Sequence, residues 1–324
     1  MFQPGEHIHG YRVEAQVATG SMGMVYRVVH VARGTTHALK YLPLASADQQ
    51  ARVRREAANL QRLSHPNVVS LTEVLEIDGR PGLIMEYVEG PTLADWMHEH
   101  HSPRTIEQLF LGIIKGVAHA HQHGVVHRDL NPANVLLAET PNGLLPKVAD
   151  FGLSKLESPP VGAASITSTD VAIGAEGYKA PEQITDPRNV DARADIFSLG
   201  CLLYEACCGV PVFGGADPLE RMNAVKSGRY TSPHQHRPDL PDRFVWAIEG
   251  CLRPNIMLRL PTCEALLSVL GEGSAMTPIA APSRGVDPTA SIVEPTPPRS
   301  QGAIMAVAAL LVVVVGALLA YVLA

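Results

Sequence analysis

His127-Arg128-Asp129-Leu130-Asn131-Pro132-Ala133-Asn134, followed by Ala149-Asp150-Phe151-Gly152, is the stretch on which the reading of this chain turns. It sets an acid, an amide and a second acid at a fixed spacing. An Asp at 129 can orient a hydroxyl and accept its proton. An Asn at 134 and an Asp at 150 are hard oxygen ligands able to hold Mg²⁺ (or Mn²⁺) against phosphates. The two blocks are close enough in sequence to form one strand–loop–strand unit. Either block alone carries less weight than the two together.

Further motifs stand in order around it. Ala18-Thr19-Gly20-Ser21-Met22-Gly23-Met24-Val25 contains two glycines, which lack a Cβ and let backbone N–H groups approach a phosphate. His37-Ala38-Leu39-Lys40 follows a turn at Arg33-Gly34. Glu56 lies in a helical run, Ala51 to Leu63. Tyr178-Lys179-Ala180-Pro181-Glu182 and Asp195-Ile196-Phe197-Ser198-Leu199-Gly200 come later. A lone G-x-x-G is a plain hairpin, and a lone Lys or Glu is a solvated surface. The ordered set is different: from about Tyr11 to Leu270 the chain resembles the eukaryotic-type (Hanks-type) serine/threonine protein kinases, most of all bacterial ones.

The resemblance implies a two-lobed α+β fold, with a small β-rich N-lobe carrying one main helix, about 11–87, and a larger helical C-lobe, about 88–271. It implies ATP with Mg²⁺ or Mn²⁺ as cofactors. Asp129 would be the catalytic base, with Asn134 and Asp150 as metal ligands. Lys40 would meet the α- and β-phosphates, held in place by Glu56. Val17, Ala18, Gly20, Ser21, Gly23, Val25 and Ala38 would line the nucleotide. Met85-Glu86-Tyr87-Val88 resembles the hinge, with Met85 as gatekeeper and Glu86 and Val88 near the adenine. His127 and Phe151 would be packing elements, Asp195 a buried brace, and Glu182 and Arg259 a pair. Protein substrates, autophosphorylation and a signalling role follow from the same resemblance. Ser165, Thr167, Ser168 and Thr169 are candidate phosphorylation sites, with Arg128 as their docking group.

The chain departs from the family at three places. Ala18 replaces the first Gly of the loop, Asn131 a Lys, and Ala175 a Thr. The last two family side chains meet each other and the catalytic Asp. Removing such an electrostatic partner commonly costs ~10²–10³ in rate. Two readings therefore stay open: a membrane-anchored kinase, and an ATP-binding pseudokinase scaffold. A purely structural interaction module is opposed by the intact metal ligands.

Tyr11–Ala18 and Met24–His30, rich in Val and aromatics around a Gly turn, predict a hairpin. Thr36 to Leu42 reads as a third strand, placed at the sheet edge with Lys40 on it. Val68 to Ile77 and Gly82 to Tyr87 read as two more. Thr92–His100, Ile106–His123, Ile196–Cys208 and Pro241–Leu252 read as helices. The net charge of −6 argues against a nucleic-acid platform. Five cysteines without C-x-x-C spacing suit free thiols in a reducing compartment. His119, His121 and His123 precede the catalytic loop, and alternate helix positions face different ways, which disfavours a metal site. Met1–Gly10 has no signal-peptide pattern and reads as an extension before the domain.

Residues 272–301 are rich in Pro, Ser, Thr and Ala, the composition of a disordered linker. Ala303 to Ala324 holds no charged residue. As a helix it spans about 33 Å, against a bilayer core of ~30 Å. Residues 302–324 are therefore expected to be a transmembrane helix, tail-anchoring the chain once in the inner (plasma) membrane. Arg299 flanks it on the side of the kinase-like part, which is expected in the cytoplasm. Gly316 and Ala320 make a small-x-x-x-small pair; a dimer is left open, since Ala and Gly are common there.

Overall fold

Alternating apolar and polar residues over 11–41 give strands whose two faces bury against different partners. The computed structural model describes residues 1–20, 23–44, 46–152, 176–187, 189–215 and 217–271. β1 (His7–Ile8), β2 (Tyr11–Gly20), β3 (Gly23–His30), β4 (Thr36–Tyr41), β5 (Leu71–Ile77) and β6 (Arg80–Glu86) form an antiparallel sheet in the order β1-β2-β3-β4-β6-β5. β4 is thus an interior strand, not the edge expected for Lys40. The reason is its composition: Ala38, Leu39 and Tyr41 are buried on alternate faces, and β6 folds back to pair along β4's open side.

Directly opposed residues share a face of the sheet. The pairings Ala18↔Val25, Val25↔Lys40, Lys40↔Leu83 and Ala38↔Met85 put these side chains on one face. Tyr26, Val28, Leu39, Tyr41 and Ile84 form an apolar cluster on the other, with Ile8 and Tyr11. The first ten residues cover that outer cluster. His7–Ile8 pairs with β2, and the Phe2 ring lies 5.2 Å from Tyr26 and 5.0 Å from Tyr41. Phe2→Ala is expected to destabilise the fold by about 1–2 kcal/mol, less than for a fully buried ring because Phe2 is half-buried. A urea unfolding midpoint equal to wild type at equal m would show that this arm does not dock in solution.

α1 (Ala47–Leu60) packs Val53 and Ala57 under the sheet against Leu42, Leu71 and Leu83. It begins earlier than its apolar spacing predicts, because its first turn is polar and carries no periodic signal. It ends at Leu60, so Leu63 is buried from the following turn instead. Val68 does not open β5 either. Val69 N–H donates to Val148 O (2.9 Å) and Val148 N–H to Asn67 O (2.9 Å). Residues 67–69 are drawn away from the N-lobe sheet because glycines let the chain approach closely: a Cβ at Gly116 would stand 2.4 Å from Asn67 O.

The second lobe holds α2 (Leu93–Trp96), α3 (Pro103–Gln122), β7 (Val135–Thr140), β8 (Gly143–Val148), α4 (Pro181–Thr185), α5 (Arg193–Cys208), α6 (Pro218–Ser227), α7 (Pro233–His236), α8 (Asp242–Cys251) and α9 (Cys263–Gly271). Ser102 caps α3 by accepting the Thr105 N–H, with Pro103 at the first helical position. α5 is apolar almost all round and buried from Ala194 to Tyr204, the pattern of a central helix. The expected linker, 272–301, and transmembrane run, 302–324, lie outside the described residues. So do Ser21, Ser165, Thr167, Ser168, Thr169 and Ala175. Among the described residues no helix is long and apolar enough to cross a membrane.

Candidate active site

The loop 127–134 is a polar segment held by a buried acid. Asp195, at the first turn of α5, is fully buried and accepts three hydrogen bonds. They come from the backbone N–H of His127 (2.8 Å), the backbone N–H of Arg128 (2.8 Å) and His121 Nε2 (2.7 Å). Burial alone would push its carboxyl up. The His121 hydrogen bond, the electrostatic attraction of the neighbouring histidines and the Arg128 N–H outweigh it and hold the carboxyl below its ordinary value. Arg128 is thereby kept at φ +69, a left-handed conformation that costs a non-glycine residue about 1–3 kcal/mol.

Asp129 and Asn134 meet in this loop. Asn134 Nδ2 donates to Asp129 O (2.8 Å), with Asp129 Oδ2 at 3.4 Å. Asn134 O accepts the Ala149 N–H at 2.9 Å, which ties this loop to the Asp-Phe-Gly turn. His127 adds a second tie, from Nε2 to Ala149 O at 2.8 Å, and its ring packs on Phe151 at 4.7 Å. Asn131 faces inward and is only 9% exposed. Its Nδ2 donates to Asp129 O (3.1 Å) and its Oδ1 accepts the Ala133 N–H (3.0 Å). The side chain standing in the family's Lys position therefore closes the loop on itself.

Lys40 is 6% exposed, and its Nζ lies 2.7 Å from Asp150 Oδ1. Lys40 therefore has a carboxylate at contact from the Asp-Phe-Gly turn. A buried ammonium needs an anion at contact, and Asp150, held at φ +61, supplies it. Glu56 faces the same turn from α1: a Cβ at Gly152 would stand 3.7 Å from Glu56 Oε2. Around Lys40 the sheet face presents Ala18, Val25, Ala38 and Met85. Val17 is 47% exposed at an irregularity of β2. Gly20 pairs with Gly23, where a Cβ would collide with Tyr41 O at 2.1 Å. Met85, with Leu60, Val69, Leu71, Leu83 and Phe151, lines an apolar recess that reaches Asp150.

In the hinge, Glu86 is committed to an ion pair with Lys147 of β8 (2.8 Å). Val88 follows it, half-buried, in the connection to the second lobe. Glu182 and Arg259 meet in a two-pronged pair (2.6 and 2.9 Å), with the guanidinium fully buried. Tyr178 donates to the Glu205 carboxylate, and burial pushes both groups up. Sequence reasoning passed over two residues. His121 was visible only as part of a histidine cluster, and Gln183 carried no signal beyond following Pro181-Glu182. Gln183 Nε2 donates to Arg128 O at 2.6 Å.

The donor set fits the implied groups. Asp150 and Asn134 offer hard oxygens, which suit Mg²⁺ or Mn²⁺. A buried lysine at the inner sheet face suits a phosphate.

Comparison with known proteins adds the lineage. The family described as protein kinase domain matches residues 11–269. The chain is 33% identical to the serine/threonine-protein kinase PkaA of Streptomyces coelicolor, over 90% of this chain and 55% of that protein. It is 36% identical to the serine/threonine-protein kinase PknL of Mycobacterium bovis, over 64% of this chain and 52% of that protein. It is 37% identical to the serine/threonine-protein kinase PknB of Mycolicibacterium smegmatis, over 52% of this chain and 27% of that protein. The chain thus spans about half the length, or less, of these curated relatives.

Proposed function

The chain belongs to the protein kinase domain family, and from that premise we propose that it transfers the γ-phosphoryl group of ATP to serine or threonine hydroxyls of proteins, its own included. The observation that carries this is the pinned Asp129–Asn134 pair beside the Lys40–Asp150 pair. Asp129 accepts the proton of the attacking hydroxyl. Asn134 and Asp150 would hold a divalent ion, which would supply positive charge against the phosphates. Lys40 orients the α- and β-phosphates from the sheet. The Ser/Thr specificity rests on the relatives' names and on the resemblance.

The charge-free run 303–324 supports a membrane anchor behind a linker, with the kinase domain on the cytoplasmic side and a signalling role. Arg128, whose guanidinium already donates to Val190 O at 3.0 Å, is the docking group for a phosphate added at Ser165–Thr169. A second reading, a nucleotide-binding pseudokinase, is favoured by Asn131, whose amide is used up inside the loop and brings no positive charge.

Autophosphorylation with radiolabelled ATP, beside Asp129→Asn, separates the two. Label on wild type at least 10²-fold above the variant is the expected result, the scale of losing a general base. Equal label in both would establish the scaffold reading.

A further inference from the structure

The peptide bond joining Arg128 to Asp129 is gripped at both of its polar groups. Its N–H, on Asp129, donates to His127 Nδ1 at 3.3 Å. Its carbonyl, on Arg128, accepts from Gln183 Nε2 at 2.6 Å. The other end of the same Gln183 amide, Oε1, accepts the Ala180 N–H at 2.9 Å. One half-buried side chain on α4 therefore bridges the peptide that carries Asp129 to the Tyr178–Ala180 run that leads into α4.

We infer that Gln183 is a positioning residue for Asp129, which rests on the proposed role of Asp129 as the base. Left-handed Arg128 persists only if its surroundings fix it. Asp195 fixes its N–H side, and among the described residues Gln183 fixes its carbonyl side. The bridge also has a particular use in this chain. In the family a Lys and a Thr link the catalytic loop to the segment between the Asp-Phe-Gly and Ala-Pro-Glu blocks, and this sequence has Asn131 and Ala175 at those places. Asn131 is turned into its own loop. Gln183 makes an equivalent connection from the far end of the same segment. An amide is required for it, because the side chain must donate to one carbonyl and accept from one N–H.

That requirement supplies the test. Gln183→Glu keeps the acceptor for the Ala180 N–H and suits the third position of a helix, so α4 and its start survive. It loses the donor and sets a carboxylate against the Arg128 carbonyl. The full chain is compared with Gln183→Glu and Gln183→Ala by hydrogen exchange of the peptide spanning 125–135, and by kcat and ATP KM on one peptide substrate. Gln183→Glu is expected to stay folded, its unfolding midpoint lowered by no more than one lost hydrogen bond accounts for, while its loop amides exchange about 2- to 10-fold faster. Its kcat is expected to fall by about 10- to 100-fold, the consequence of a slightly misplaced base, with ATP KM unchanged. Loop exchange equal to wild type overturns the inference whatever the rate does. Faster exchange with an unchanged kcat overturns it too. If wild type transfers no phosphate, the proposed activity fails separately, and the exchange comparison still decides whether Gln183 holds the Asp129 peptide.

Discussion

Lys40→Met is expected to lower kcat/KM by at least about 10²–10³, the scale of removing one preorganised charge from a phosphoryl-transfer site. The structure changes the reasons for expecting the fold to survive. Lys40 sits on an interior strand and is almost fully buried, so the length of its stem matters to packing. Met keeps most of that volume in an unbranched chain. What it removes is the ammonium 2.7 Å from Asp150. Asp150 keeps 29% of its side-chain surface in solvent, so water screens the carboxylate left behind. Initial rates on one peptide substrate, together with a thermal unfolding curve, check both halves. Turnover equal to wild type in a folded variant would remove Lys40 from the site.

Asp195→Ala is expected to be the most destabilising single change in the second lobe, by about 3–5 kcal/mol. It strands the buried N–H groups of His127 and Arg128 and the ring N–H of His121 without their acceptor. Arg128 then has less to hold it at positive φ, so residual activity should fall further than stability alone explains. Asp195→Asn, which keeps an acceptor oxygen, should fall between wild type and Ala. Acid should act on the same brace. Its folded carboxyl is held below the ordinary 3.8, so its contribution is present above that value. The contribution is lost as pH falls through the lower, folded value. Denaturant midpoints from pH 7 down to about pH 3 measure it. A wild-type curve that loses no more stability than Asp195→Ala over that range would show that the acid is not paired in solution.

The resemblance pointed Asp195 to the catalytic loop, but nothing in the spacing of the chain pointed to His121. His121 and Asp195 are separated by the catalytic loop, β7, β8 and α4, and which donor reaches a buried acid depends on how α3 and α5 cross. The contact between Lys40 and Asp150 joins residues far apart in the chain, which no local pattern announces. Gln183 looked like one more polar residue on a short helix. Its value comes from lying beneath the Arg128 carbonyl, an adjacency that local pattern does not encode.

The sequence by itself determined the residue types that the chemistry demands: an acid, an amide and a second acid at 129, 134 and 150, a lysine at 40, and glycines where a Cβ would collide. It also determined the two faces of the N-lobe sheet, because a period of two sends alternate side chains to opposite sides whatever the rest of the chain does. The tertiary structure decided that β4 is interior, that Val68 joins the second lobe, that residues 1–10 cover the outer face, and that Asn131 closes its own loop. Those outcomes depend on contacts between segments far apart in the chain. A hydrogen-bonding group binds whichever complementary group the fold leaves within about 3 Å, and sequence order places no bound on that distance.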